Sequence, residues 1–472
     1  MFENKMKIGV IVGTRGIFSA ELVKDVRRNL LKQIEKAGFE AVILPEDATP
    51  NGAVETLADA KKYAGLFRKE SDELAGIIVS LPNFGDEIGI VETITRSGVD
   101  IPILVQAEDD EVDKVDVANR RDAFCGKISV CNNFYQYGIP FTDTTSHTCK
   151  VTGDEFSGDL DRFGRICRVV AGLRSARIGA IGARPAPFQT VRFSEKILQS
   201  SGITVVPVDM SEIIKAAEKL GDKDKKVQEK LGQIKVYGNI PSRIPEASVV
   251  RQAKLSVVID DWMDENECVA SAIQCWSSIE DNYGCATCLS MSMMGEKLMP
   301  SACEMDVTGA LSMYTLALAS GTSPGLLDWN NNYGSQPDKC VNTHCSNFPK
   351  SFMGADVEIS ELDILGETLG RENCFGAVKG HVASGDMTFF RLSTDDTRGL
   401  IHGYLGEGEF TDDPFPMDGG IAVCKVDNLR ELLRHITKNG YEHHVSMVRG
   451  RWKTVVEDAL KTYLKWELFT HR

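Results

Sequence analysis

The chain has 472 residues, too many for one hydrophobic core, and its 42% apolar and 26% charged content is that of a soluble globular protein of two to four domains. A formal net charge of −15 argues against a nucleic-acid or anionic-membrane partner, which would need a basic face. No stretch reaches the roughly 20 apolar residues that span a bilayer, "MFENKMKIGVIVGTRG" lacks a signal-peptide layout, and thirteen scattered cysteines read as reduced thiols in a cytoplasm.

The first segment alternates strands and helices. "MKIGVIVG" is a continuous apolar strand, followed by the helical spacing of "AELVKDVRRNLLKQIEKAG", and then by the short apolar strands "AVILP", "AGIIVSLPN" and "IPILVQ" with helical patterns between them. Strands apolar on both faces and joined by helices predict a parallel, doubly wound sheet. The pattern restarts near residue 175 with the strand "ARIGAIGARP", a helix, and the strand "ITVVPVDM". The charged run "KAAEKLGDKDKKVQEKLGQIK" reads as a solvated helical excursion, and "GCATCLSMSMMG" as a buried helix whose Cys285 and Cys288 are core thiols rather than half of a zinc or redox pair. From about residue 355, "FFRLSTDD", "GLIHGYLGEGEF" and "GIAVCKV" are strand-like runs without intervening helices, closed by the helical patterns "DNLRELLRHITKNG" and "WKTVVEDALKTYLKWEL". The expected organisation is two Rossmann-like, doubly wound α/β domains, residues 1–172 and 173–352, followed by a β-rich, antiparallel barrel-like domain with closing helices, residues 353–472.

The junction "MPSACEMDVTGALSM" carries two acids ahead of a helix. Asp306 is placed to cap that helix, its carboxylate accepting a first-turn N–H. Glu304 follows Cys303 at the end of a buried strand, where an unpaired carboxylate is costly. The helix "VTGALSMYTLALAS" ends at Gly321, and "TSPGLLD" reads as a turn and a strand ending at Asp328, 24 residues after Glu304. Both acids then fall at the carboxyl ends of strands on one edge of a parallel sheet, where open α/β sheets bind ligands. Two carboxylates so placed repel unless a cation or a proton lies between them. Of eight histidines, His443 and His444 adjoin in "GYEHHVSMVRG" and His344 follows Asp328 in "NTHCSNFP". Carboxylate oxygen with imidazole nitrogen suits a divalent ion such as Mn²⁺.

The chain resembles the L-fucose isomerase and L-arabinose isomerase superfamily, metal-dependent aldose–ketose isomerases, over nearly its full length. The resemblance rests on the acid in "CEMD", the acid 24 residues on in "SGTSPGLLD", and the late histidine in "HHVSMVRG". It implies that Glu304, Asp328 and His444 bind the metal, Mn²⁺ with Co²⁺ or Mg²⁺ as substitutes, and that the two acids carry protons. His444 takes precedence over His443 because the family has a glycine six residues after its ligand, as Gly450 is here. His344 resembles the further histidine of L-arabinose isomerases. Arg15, in "VGTRG", resembles the N-terminal arginine that reaches the substrate of a neighbouring subunit, so a homo-oligomer, a hexamer by resemblance, is implied. The chain is shorter than the long bacterial L-fucose isomerases, which places it on a divergent branch with a small-molecule sugar other than fucose or arabinose open to it. Trp276 is a candidate sugar-pocket aromatic.

Two other readings remain. On the same scaffold, the substrate would be a modified or anionic sugar such as the sulfosugar sulfoquinovose, with Arg15 and Arg184 ("GARPAPF") as the cations that meet it. In a different class, the chain would be a sugar-binding sensor of two Rossmann-like lobes, which has no need of the paired acids and the histidine pair.

Overall fold

The computed structural model describes residues 5–472. The chain divides into two compact units, one comprising the chain up to Ala171 with Asp458–Lys465, the other Gly172–Glu457 with Trp466–Arg472. Among the described residues, no helix is long and apolar enough to cross a membrane.

The first unit is built on five strands, β1 (Lys7–Val12), β2 (Glu40–Val42), β3 (Leu74–Leu81), β4 (Ile103–Ala107) and β5 (Thr142–Asp143), in the order β2-β1-β3-β4-β5. All pairings are parallel. Alternation along β1 explains how one strand serves two cores. Ile8, Val10 and Val12 pack with Val23, Val26 and Leu30 of the helix Ala20–Lys36, while Ile11 joins Tyr63, Phe67 and Ile90 on the opposite face. Helices on both faces leave no polar face for solvent, which is why the strands read as unbroken apolar runs.

The second unit opens with a smaller parallel sheet of β6 (Arg177–Ile181), β7 (Thr204–Val208), β8 (Ala270–Ile273) and β9 (Ser301–Ala302), in the order β7-β6-β8-β9. It continues with β10 (Gly325–Asn332), β11 (Lys339–His344), β12 (Glu358–Glu361), β13 (Phe375–His381), β14 (Gly385–Asp395), β15 (Leu400–Thr411), β16 (Gly420–Lys425), β17 (His444–Arg449) and β18 (Glu467–Thr470). These nine pair in the order β12-β13-β16-β11-β10-β17-β14-β15-β18, and β16 also pairs with β15. That extra pairing closes a ring of six antiparallel strands, β16-β11-β10-β17-β14-β15, so the barrel removes its own open edges. Its first two strands come from ahead of residue 353.

One local expectation fails. Glu304 and Asp328 do not close a single strand–helix–strand unit of a parallel sheet. β9 belongs to the parallel sheet, but β10 pairs antiparallel with β11 and β17 in the barrel. Short apolar runs carry no signal that separates parallel from antiparallel partners, and here the partner β17 lies more than a hundred residues downstream.

The helix between them, Val307–Ser320, is buried along all fourteen residues. That burial accounts for its unbroken small and apolar composition. Leu316 is fully buried in it, so Leu316→Ala should destabilise the second unit by about 2–5 kcal/mol. Urea unfolding followed by tryptophan fluorescence reads this directly, and a cost below about 1 kcal/mol would contradict the packing described.

Candidate active site

Four segments deliver the ionisable groups. After β9 the backbone passes through two left-handed residues, with φ of 57° at Glu304 and 62° at Met305. Such conformations cost non-glycine residues of order 1–3 kcal/mol each and persist where surrounding contacts over-determine them. Cys303 remains in the apolar core while Glu304, 3% exposed, lines a cavity. Asp306 follows as the helix cap, accepting the Gly309 N–H at 2.8 Å. Asp328 and His444 are direct cross-strand partners on β10 and β17, which converts a long sequence separation into side-chain contact. His344 ends β11, the other neighbour of β10.

These groups converge on one point. His444 Nε2 lies 2.9 Å from Glu304 Oε2 and 3.5 Å from Asp328 Oδ1. His344 Nε2 is 3.7 Å from Glu304 Oε2, and His443 Nε2 is 3.7 Å from Asp328 Oδ1. Ligand atoms of Asp328, His344 and His444 all lie within 4.8 Å of one another. Glu304 Oε2 and Asp328 Oδ1 are both buried without a hydrogen bond. At 2.9 Å, His444 and Glu304 form an ion pair when the imidazole is protonated.

A buried carboxylate pair supports the imidazole from behind. Asp306 Oδ2 accepts from His444 Nδ1 at 2.7 Å, which leaves Nε2, protonated until a cation displaces its proton, facing the two carboxylate oxygens. Asp306 also holds Arg391 in a fork, at 2.5 and 2.9 Å, and Arg391 Nε donates to Glu442 Oε2 at 3.1 Å. Arg391 further donates to Thr308 Oγ1 at 2.8 Å, and Ser393 Oγ donates to Glu442 Oε1 at 2.8 Å. The Arg391 and Asp306 side chains are wholly buried. Burial alone would raise the Asp306 carboxyl, but the Arg391 guanidinium and His444 hold it well below the usual carboxylate range. Burial likewise pulls His444 down, and Asp306 with Glu304 outweighs it, to about 9. His443 moves the other way, to about 4, through burial and the neighbouring His444.

Two carboxylate oxygens and an imidazole nitrogen, turned toward one another and otherwise unsatisfied, fit a divalent cation. Ligands at right angles around an ion with bonds of roughly 2.1 Å stand about 3 Å apart, close to the separations from His444 Nε2 to the two acids. The donor chemistry is hard oxygen with one imidazole, suited to Mn²⁺ or Mg²⁺ and less to thiolate-seeking ions.

The cavity above this cluster measures about 500 Å³ and is walled by Phe188, Trp276, Asn330, Leu365 and Met417 among others. The Trp276 and Phe188 rings meet edge to face at 4.8 Å, and Phe188 approaches His443 at 6.0 Å. Arg184 lies in an adjoining cleft of which Trp276 and Leu365 are shared walls, with its Nη1 donating to the carbonyls of Pro185 and Ala186. Arg15 belongs to the first unit, where its guanidinium pairs with Glu87 and lies 4.1 Å above the Phe84 ring. Sequence reasoning did not find Arg391, Glu442 or the contact of Asp306 with His444. A lone arginine inside the apolar run "FFRLS" was the available signal, since a charge buried in a barrel strand demands a partner.

Asp306→Asn keeps the helix cap but removes the charge opposite Arg391. Breaking a buried ion pair from one side costs about 3–5 kcal/mol, and loss of the carboxylate behind a metal-binding histidine weakens the metal by about 10–100-fold. Thr308→Ala, which removes one of the Arg391 contacts, should cost only about 1 kcal/mol. Urea unfolding and Mn²⁺ titration of both variants check this; equal effects would mean that Asp306 is a cap and nothing more.

A family model described as "Fucose/sulfoquinovose isomerase, N-terminal domain" matches residues 9–174, and one described as "L-fucose isomerase, C-terminal domain" matches residues 342–471. Glu304 and Asp328 lie between the two matched stretches; the three site histidines fall in the second. A sulfoquinovose isomerase of Priestia aryabhattai is 27% identical over 291 residues, 60% of this chain and 62% of that protein. Those of Alkalicoccus urumqiensis and Clostridium sp. (strain MSTE9) are 25% and 26% identical over 328 residues, covering 65% and 67% of this chain and 70% and 67% of theirs. The match therefore spans less than two thirds of the Priestia protein's length. An ABC transporter solute binding protein of Burkholderia multivorans aligns at 10% identity and a TM-score of 0.18, covering 68% of this chain and 95% of that one, a likeness too low to bear on the fold. With both ends of the chain matched to domains of one kind of enzyme, the chain belongs to the fucose isomerase-like family.

Proposed function

We propose that the protein is a metal-dependent aldose–ketose isomerase. The observation that carries this reading is the pair of buried carboxylate oxygens, Glu304 Oε2 and Asp328 Oδ1, that have no hydrogen bond and meet at His444 Nε2. Moving a carbonyl between C1 and C2 requires removing a weakly acidic proton from one carbon and returning a proton to its neighbour. Glu304 and Asp328, entering from β9 and β10, would stand on two sides of the reacting carbons and act as base and acid in turn. Glu304, Asp328 and His444 would hold the cation, with His344 beside them. When bound, a divalent cation such as Mn²⁺ supplies Lewis-acid stabilisation of the charge that develops on the two sugar oxygens. Asp306 fixes the His444 ring, so that Nε2 keeps its direction through the reaction. At neutral pH the depressed His443 is an uncharged imidazole, able to exchange hydrogen bonds with a sugar hydroxyl at the cavity mouth.

For the substrate, the relatives named as sulfoquinovose isomerases favour an anionic, sulfonated aldose over a neutral one. The cleft carrying Arg184 supports it, because its shared walls Trp276 and Leu365 put a cation one side chain away from the sugar cavity. The acids Asp363 and Asp418 on the cavity wall both pair with Lys379, and Asp363 also pairs with Arg371, so these two acids are matched by two cations. A homo-oligomer in which Arg15 reaches a neighbouring subunit's substrate is part of the same proposal.

Chelation should abolish turnover and Mn²⁺ should restore it. Glu304→Gln and Asp328→Asn should each lower kcat by about 10²–10⁴-fold, the usual loss for a general acid or base. Assayed on sulfoquinovose beside L-fucose and other neutral aldoses, the enzyme should prefer the sulfosugar, and Arg184→Ala should raise KM for it while leaving neutral sugars unchanged. Full activity of a verified metal-free sample would sink the mechanism, and equal turnover of neutral aldoses would sink the substrate assignment.

A further inference from the structure

Directly behind the candidate active site lies a second cluster of ligating groups with a different chemistry. Cys288 opens the helix Cys288–Glu296, Cys303 follows β9, and Cys345 follows β11. Their three sulfurs lie within 4.8 Å of one another, with Cys303 and Cys345 at 3.5 Å. Cys275, after β8, neighbours Cys303 and Cys345 but is not one of the three whose sulfurs lie within 4.8 Å of one another. Cys345 Sγ also meets His344 Nδ1 at 3.3 Å. None of the four is in a disulfide. Cys285, the other half of the C-x-x-C pair, is in none of these contacts; the partners of Cys288 come from strand ends far away in sequence.

Small buried thiols are common core residues. Three of them delivered by three separate elements to one spot is a different pattern. Among the described residues, Cys288, Cys303 and Cys345 are the one group of three ligands made of thiols alone. With zinc–sulfur bonds of about 2.3 Å, the sulfurs of a tetrahedral thiolate site stand roughly 3.8 Å apart, between the 3.5 Å contact and the 4.8 Å limit found here. A disulfide would use two of these sulfurs and leave the others without a role.

We propose that Cys288, Cys303 and Cys345, with Cys275 nearby, form a second metal site for a thiophilic d¹⁰ cation of the Zn²⁺ class. The cation replaces the S–H protons, which leave to solvent, and no oxidant or reductant takes part. The site adjoins the oxygen-rich one, since ligand atoms of Glu304, His344 and Cys345 also lie within 4.8 Å of one another, and it is coupled to it through two peptide junctions. Cys303 is followed by Glu304, and Cys345 is preceded by His344. A cation held by the sulfurs therefore ties down the backbone on both sides of the hard-ligand set, including the left-handed turn at Glu304 and Met305. Soft and hard donors on adjoining residues of the same two junctions sort a thiophilic ion from Mn²⁺ by ligand chemistry.

The test uses the full chain, reduced and stripped of metal by a chelator, titrated with Co²⁺ as an optical stand-in for Zn²⁺. A thiolate-to-cobalt charge-transfer band should grow to one equivalent per chain and be displaced by Zn²⁺. The band should be lost in Cys288→Ala and Cys345→Ala but kept in Cys285→Ala and in Asp328→Asn, since Asp328 groups with the two histidines and with no thiol. X-ray absorption at the zinc edge of the unsubstituted protein, with the hard-ligand site filled by Mn²⁺, needs no variant to fold and should give a sulfur shell at about 2.3 Å. A zinc shell of oxygen and nitrogen only, or a cobalt band that survives Cys288→Ala, overturns the proposal. Because the readout is spectroscopic, it stands whether or not the protein isomerises a sugar.

Discussion

The second unit is organised around one buried carboxylate. Asp306 caps the central helix through Gly309, grips Arg391 of β14 in a fork, and fixes the ring of His444 at the head of β17. A charged guanidinium inside a barrel strand is costly to desolvate and persists only with its partners in place. Asp306 and Glu442 provide them. One charged cluster therefore ties the parallel sheet, the buried helix and the barrel together within this unit, and the direction of His444 Nε2 follows from it.

From that constraint the rest of the site acquires a physical reason. With Nδ1 committed to Asp306, His444 turns Nε2 toward Glu304 and Asp328, whose facing oxygens have no hydrogen bond of their own. A protein interior does not sustain two unpaired carboxylates beside an imidazole unless positive charge is shared among them. The left-handed backbone at Glu304 and Met305 is the local cost of this arrangement, offset by the Asp306 contacts that follow immediately. The strain, the orphaned oxygens and the buried ion pair thus belong to one arrangement at the floor of a cavity, where the proposed cation would sit.

Much of this was legible in the sequence, for reasons that differ by element. The parallel sheets announce themselves because strands covered on both faces must be apolar throughout, as in "MKIGVIVG". Asp306 as a cap, and Glu304 as an acid too costly to be idle, follow from local chemistry at one junction. The closeness of Glu304 and Asp328 was reached through the wrong topology: β10 leaves the parallel sheet for the barrel, yet its pairing with β17 brings Asp328 to His444 all the same. The Arg391–Asp306–Glu442 cluster was not legible, since its members come from three distant segments and no local period links them. The thiol cluster was hidden for the same reason. "GCATC" draws attention to Cys285 beside Cys288, whereas the fold gives Cys288 other partners.

The central claim, that Glu304, Asp328 and His444 form one cation site set by Asp306, is tested most directly by Mn²⁺ binding measured with electron paramagnetic resonance. Protein labelled with ¹⁵N-histidine should bind one Mn²⁺ per chain at the hard-ligand site with a single strong imidazole hyperfine coupling, lost in His444→Ala and retained in His443→Ala. Coupling that persists in His444→Ala, or Mn²⁺ affinity unchanged by removing either acid, would contradict the account.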